Sequence, residues 1–320
     1  MLASLSLLGW PRGAPALSIL IYHRVLPSPD ALRPGEIDAA RFEAQVAFLA
    51  RHFTLMTVGD AAAALREGRL PARAACITFD DGYADNWTVA HPILARHGVR
   101  ATVFVATGYL NGGRMFSDTV IEFVRRVPGP VLDLSAVDMG THAVATVEDR
   151  LKAVTALQVQ LKYLAPEERD AQVARILAAV PVAGLPEDLM LSDAQLRELA
   201  QAGHEIGGHT VDHTVLTTLT PEGAREQVAR GRDRLAALLG RPIRSFAYPN
   251  GRPVRDYDAG HAAMLRELGF EAAVSTAAGV ALPGADLFQL PRYTPWGDSM
   301  TMFAARMMRN ARMGGPATVA

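Results

Sequence analysis

The chain has 320 residues, enough to bury a substantial core, and its formal net charge of -1 gives no support for nucleic-acid binding. Hydrophobic residues make up 49% of it, yet the apolar runs are short and interrupted, and none approaches the roughly 20 residues of a membrane span. The single cysteine, Cys76, cannot form an internal disulfide and reads as a core residue of an apparent strand.

In chain order, residues 1–12 lack the basic start of a secretory signal and their apolar stretch is short, so a cytoplasmic location is expected; export is the alternative, with Ala14-Pro15-Ala16 read as a poor cleavage site. An apolar run at 17–22 ends on His23, and amphipathic spacing predicts a helix over 41–51. A second run, 75–79, ends on Asp80-Asp81, followed by a helix over 88–97 and a third run at 101–106. Between 113 and 190 this rhythm is lost. Stretches 119–127, 147–164 and 166–180 read as helices of an insertion or lid rather than a separate domain, with Ser117-Asp118 and Pro166 marking starts and a protein-interaction surface as the alternative. The alternation then resumes: helix 193–202, run 205–208 before His209, helix 221–239, run 245–248, helix 259–268, and runs 271–275 and 288–290, the last preceding Arg292. A Met/Arg-rich stretch over about 298–313 predicts an amphipathic helix. Docking on the core is preferred for it, and peripheral membrane contact is the alternative.

Seven strands alternating with helices imply a parallel barrel or a doubly wound sheet in one domain, and both gather active residues at the carboxyl ends of strands. His23, Asp80-Asp81, His209, Tyr248 to Gly251 and Arg292 all fall at such ends.

Adjacent carboxylates are costly to keep ionised unless a metal or a base role uses them, so Thr78-Phe79-Asp80-Asp81-Gly82 suggests chemistry; a plain strand-to-turn junction is the alternative. In Gly203-His204-Glu205-Ile206-Gly207-Gly208-His209-Thr210-Val211-Asp212-His213, two imidazoles stand four apart. On a helical turn His209 and His213 would share a face and point at one ion. With one carboxylate they form a set that suits zinc with an open position, other divalent metals being alternatives. His204 and Glu205 read as local turn partners.

These two segments, with Arg244-Ser245-Phe246-Ala247-Tyr248-Pro249-Asn250-Gly251 and Leu290-Pro291-Arg292, resemble the polysaccharide deacetylase (NodB-homology) family of carbohydrate esterases. The resemblance covers roughly 16–112 and 190–296. It implies a distorted (β/α)7 barrel with a helical insertion, which removes N-acetyl or sometimes O-acetyl groups from sugars with one divalent metal held by Asp-His-His. Carried onto this sequence, it implies Asp81, His209 and His213 as ligands of Zn2+ (Co2+, Ni2+ or Mn2+ as alternatives) and Asp80 as the base toward metal-bound water. It also implies a backbone N–H of Tyr248-Pro249-Asn250-Gly251, that of Asn250 first, as oxyanion donor. Tyr248 is the alternative as a sugar-site lining.

Two departures from the family pattern stand out. The late Leu-x-His acid is missing, since no histidine follows His261, and His23, whose place before Asp80-Asp81 resembles that of the acid histidine in permuted members of the family, is expected to take that role, with a structural histidine bridging strand ends as the alternative. The arginine expected just before the Tyr-Pro segment is Ala247, and Arg292 is the substitute expected to orient Asp80, with Arg244 second. Trp296 is a candidate sugar contact.

The expected function is metal-dependent deacetylation of a polysaccharide or a lipid-linked amino sugar. The alternatives are hydrolysis of another amide such as a formamide, or a catalytically silent carbohydrate-binding protein.

Overall fold

A computed structural model describes residues 15–295, 299–312 and 318–319. Six parallel strands form its centre: β1 (Leu17–Tyr22), β2 (Ala74–Phe79), β3 (Thr102–Val105), β4 (Glu205–Gly208), β5 (Ser245–Ala247) and β6 (Ala272–Val274). Their spatial order follows chain order from β1 to β6, as in a barrel, and the short strand Thr54–Leu55 adds to the start of β2. Every residue of β1, β2 and β3 is buried, which is why these strands read as unbroken apolar runs rather than alternating ones.

The seventh predicted strand, 288–290, is not a strand. Leu290 makes a single parallel bridge to Val274, and Tyr293 another to Leu20. This irregular segment closes the circle from β6 to β1, giving the distorted (β/α)7 barrel. Pro291 removes a donor between the two bridges, so the ladder cannot run on. Inside, Phe104 lies over Gly207, where a Cβ would stand 2.4 Å from its ring, and packs in one cluster with Leu17, Ile19, Cys76, Ala247, Val274 and Leu290.

Helices pack outside. Ala39–His52 starts at the Asp38 cap, Asp193–Gln201 at a Ser192–Gln195 capping box, and Pro221–Leu239 runs from Thr220 to Gly240, whose φ of 64° ends it in the left-handed region. The helix Val58–Arg66 was not foreseen, although Thr57 caps it through the Asp60 N–H. The predicted helix over 88–97 is a π-turn, Asn86–Ala90, leading into His91–Arg96.

The insertion contains helices Phe116–Arg126, Val147–Leu161 and Pro166–Ala179 and an unforeseen hairpin, Val131–Asp133 with Thr141–Ala143. Its first helix starts earlier than Ser117-Asp118 suggested, because Asp118 is no cap: it is buried and accepts from Arg33 and Tyr83. Phe123, Val124, Leu132, Leu157 and Leu161 form a hydrophobic cluster of the insertion's own.

The helix Met300–Arg312 docks on the barrel side. Phe303 and Met307 are buried, Phe303 meets Phe48 edge-on at 5.7 Å, and Asn310 donates to the Gly279 carbonyl. No helix among the described residues is long and apolar enough to cross a membrane. The segment 1–12 and Trp296 lie outside the described residues.

Candidate active site

Asp80 and Asp81 leave β2 in different directions. Asp80 is still extended enough to give its N–H to the Tyr22 carbonyl of β1. Asp81 has φ 75° and Gly82 has φ 87°, so the chain turns sharply there and the two carboxylates diverge. A non-glycine residue held in this region marks a site where the surroundings fix the backbone.

The Asp80 carboxylate is gripped by Arg292. Nη1 donates to Oδ1 at 2.7 Å and Nη2 to Oδ2 at 2.8 Å, while Nε donates to the Ser275 carbonyl and Nη1 also to Thr78. Arg292 is fully buried. Burial alone would raise the Asp80 pKa, but Arg292 and, behind it, His209 outweigh that and hold it below the ordinary carboxylate range. Arg244, the other candidate, is largely exposed and pairs with Glu271 on the far side of the sheet.

Asp81, His209 and His213 converge, their candidate ligand atoms lying within 4.8 Å of one another. Nε2 of each histidine stands 3.4 Å from Asp81 Oδ1. The pair does not share a helical face as the spacing suggested. Residues 209–213 form a loop after β4, with Thr210 at φ 64° and His213 at φ 50°, and that reversal brings the second ring back beside the first. Gln227, on the helix Pro221–Leu239, accepts from the N–H groups of Val211 and Asp212 and donates to the Asp212 carboxylate. Gly231 lets this helix approach, since a Cβ there would stand 3.0 Å from the Thr210 carbonyl oxygen.

These three residues fit a divalent cation. Oδ1 of Asp81 is buried with no hydrogen-bond partner among the described residues, a cost that an ion would remove. Nδ1 of His209 donates to the Ala247 carbonyl, which leaves Nε2 as the lone-pair nitrogen facing Asp81. Burial lowers the His213 pKa to about 4, keeping that ring neutral as a ligand must be. Burial also opposes charging His209, but Asp81 and Asp80 raise its pKa on balance.

A cleft of about 560 Å³ covers this floor, lined by His23, Asp80, Asp81, His209, His213, Asn250 and Thr276 from the barrel and by Phe116, Gln158, Lys162 and Arg169 from the insertion. His23 is half-buried and held from behind: Asn86 donates to its carbonyl, Asp85 accepts from Val25 N–H, and Arg24 pairs with Asp85 at 2.7 Å. Asn250 and Gly251 take φ 58° and 69°, in a tight turn where Gly251 N–H reaches the Pro249 carbonyl. Thr276 clamps this turn by donating to the Asn250 carbonyl. Tyr248 does not line the cleft: it is fully buried, stacks on Tyr257 at 3.8 Å and donates to the Phe288 carbonyl. Its ring belongs to the core, because β5 turns it toward the outer helices.

His204 and Glu205 sit at the opposite, amino end of the barrel. Glu205 accepts from Gly59, Thr102 and Ser245, and His204 accepts from Ala101 N–H and meets His91. The cations Lys162 and Arg169 were not singled out in the sequence, where they are ordinary charges on amphipathic helices.

Residues 67–273 match the sequence profile of the family described as polysaccharide deacetylase, more than half of the chain. That span holds Asp80, Asp81, His209, His213 and Asn250, whereas His23 and Arg292 lie outside it. The provisionally named polysaccharide deacetylase YxkH of Bacillus subtilis (strain 168) is 22% identical over 278 residues, covering 86% of this chain and 70% of its own. Among solved structures, the Streptococcus pyogenes deacetylase PplD in complex with acetate has a TM-score of 0.62 at 19% identity, covering 92% of this chain and 99% of that one. IcaB from Ammonifex degensii has a TM-score of 0.60 at 23% identity, with 92% and 97% covered. At these identities the likeness to the two structures is one of fold.

Proposed function

This chain belongs to the polysaccharide deacetylase family, hydrolases of non-peptide carbon–nitrogen bonds, and from that premise we propose that it is a metal-dependent enzyme removing N-acetyl groups from an amino sugar of a polysaccharide or a lipid-linked glycan. The observation that carries this reading is the pairing at the cleft floor: a carboxylate locked by Arg292 stands next to a carboxylate whose Oδ1 has only two imidazoles for company.

Asp81, His209 and His213 would hold the ion, zinc by the nature of the donor set, which supplies Lewis acidity and a water acidic near neutral pH. Asp80, kept ionised and fixed in orientation by Arg292, takes the proton of the attacking water. The charge that develops on the acetyl oxygen is met by the Asn250 N–H, on a turn preorganised by Gly251 and Thr276. His23, which also lines the cleft, gives a proton to the departing amine. The base and the acid thus come from neighbouring strand ends, β2 and β1, held in register by the Asp80 N–H to Tyr22 carbonyl bond.

Acetate release from a panel of N- and O-acetylated glycans, with and without a chelator, tests the reading. The expected result is acetate from an N-acetylated glycan that stops on chelation and returns with zinc. Release of formate alone, or turnover indifferent to chelation, would oppose it.

A further inference from the structure

Arg169 is a cation with too few partners. Only 4% of it is exposed, yet among the described residues Nε and Nη2 find no hydrogen-bond partner, and its one ion pair is with the mostly exposed Asp170, 3.6 Å from Nε. Its guanidinium lies 4.9 Å over the ring of Phe116, which also lines the cleft. A buried charge left unpaired is costly, and a fold keeps one where a ligand completes it.

The rest of the cleft points to what that ligand carries. Among its lining residues Asp80 is neutralised by Arg292 and Asp81 belongs to the ligand triad; the remaining charged side chains are Lys162, Arg169 and Arg252, with no further carboxylate. Asp256 lies near Lys162 and is fully buried; its Oδ2 accepts from the Arg252 N–H and its Oδ1 has no hydrogen-bond partner among the described residues, so it offsets part of the charge of Lys162 and Arg252. Lys162 and Arg169 both come from the insertion, so the element that walls the cleft also charges it.

We propose that Arg169, with Lys162 and Arg252, forms a subsite for an anionic substituent, a phosphate or carboxylate, carried by the glycan next to its acetylated sugar. This rests on the deacetylase reading for the sugar alone; the anion subsite stands on the unpaired guanidinium. A planar guanidinium suits either oxyanion through paired hydrogen bonds.

Binding to the zinc-loaded full chain can be compared by calorimetry for N-acetylglucosamine 1-phosphate, N-acetylmuramic acid and the neutral methyl N-acetylglucosaminide. One charged probe should bind about 10- to 100-fold tighter than the neutral one, as hydrogen bonds to charged groups allow. Which of the two binds tighter distinguishes phosphate from carboxylate. In Arg169→Gln the charged-to-neutral ratio should fall toward one, and Arg169→Lys should keep part of it, with circular dichroism and zinc content reporting that both are folded. Equal binding of all three probes would overturn the proposal, as would a preference that survives in Arg169→Gln, which would place the anion on the metal. Acetate release without any charge preference leaves the deacetylase reading and removes the subsite. An Arg169-dependent preference in a chain that releases no acetate does the reverse.

Discussion

Arg292 and Asp80 are 212 positions apart in sequence and form a two-pronged ion pair, with Nη1 to Oδ1 at 2.7 Å and Nη2 to Oδ2 at 2.8 Å, closed off from solvent. The geometry fixes the carboxylate plane, and only a guanidinium can do so. Arg292→Lys should therefore lower kcat by about 10- to 100-fold while zinc stays bound, because a point charge cannot hold a carboxylate in plane. Arg292→Met should also destabilise the fold, by roughly 3–5 kcal/mol, since it strands a buried charge. Steady-state kinetics, metal analysis and denaturant unfolding check these outcomes. Unchanged kcat in Arg292→Lys would mean that the fork has no role in orienting the base.

The adjacent carboxylates should separate cleanly on mutation. Asp80→Asn is expected to abolish turnover with the metal retained, and Asp81→Asn to weaken metal binding itself. Metal content and activity measured on both variants decide it. An Asp80→Asn protein that has lost its metal, and recovers activity when metal is restored, would exchange the two roles.

His23→Ala is expected to lower kcat by about 10²–10⁴-fold, the range of a general acid, with little change in metal affinity. Asp85 and Asn86 hold the His23 backbone from behind. Asn86→Ala should therefore reduce kcat by a smaller factor and leave zinc content intact. Full activity in His23→Ala would leave the proton donor to be found elsewhere in the cleft.

A stability effect should arise at the far end of the barrel. Burial, aided by His91, lowers the His204 pKa to about 4. Its neutral form is thus favoured in the folded chain, while the unfolded chain takes up a proton below about pH 6.5. The contribution is fully present above that pH and is lost as pH falls toward about 4, amounting to roughly 3 kcal/mol at most. Urea unfolding between pH 7 and pH 4 should show this slope, flattened in His204→Gln. An identical slope in the variant would assign the acid sensitivity to other groups.

Much of the barrel was legible because its strands are buried on both faces. Runs 17–22 and 205–208 and the helix 221–239, with Thr220, Pro221 and Gly240 at its ends, coincide with the observed elements. The closing segment differs from its sequence pattern: Phe288-Gln289-Leu290 has strand composition, but the chain there bonds through isolated bridges at Leu290 and Tyr293, on either side of Pro291. For His209 and His213 the spacing suggested convergence but not its cause, a left-handed loop that depends on Gln227 and Gly231 of another element. Arg169 was illegible for a plain reason. In Pro166-Glu167-Glu168-Arg169-Asp170 it looks like one more solvated helix charge, and only the Phe116 ring and the packing of the insertion bury it. Tyr248 shows the converse, a tempting polar ring that the core claims.

On the proposed function, acetate release depends on one divalent ion at Asp81, His209 and His213. Stripping the wild-type chain with a chelator and adding zinc back, while bound metal and acetate release are read on the same sample, tests it most directly. Acetate release should climb with bound zinc and level off at about one equivalent, and His209→Ala and His213→Ala should fall well short of that occupancy. Full zinc occupancy in both variants, or acetate release from the stripped protein at the wild-type rate, would contradict the account.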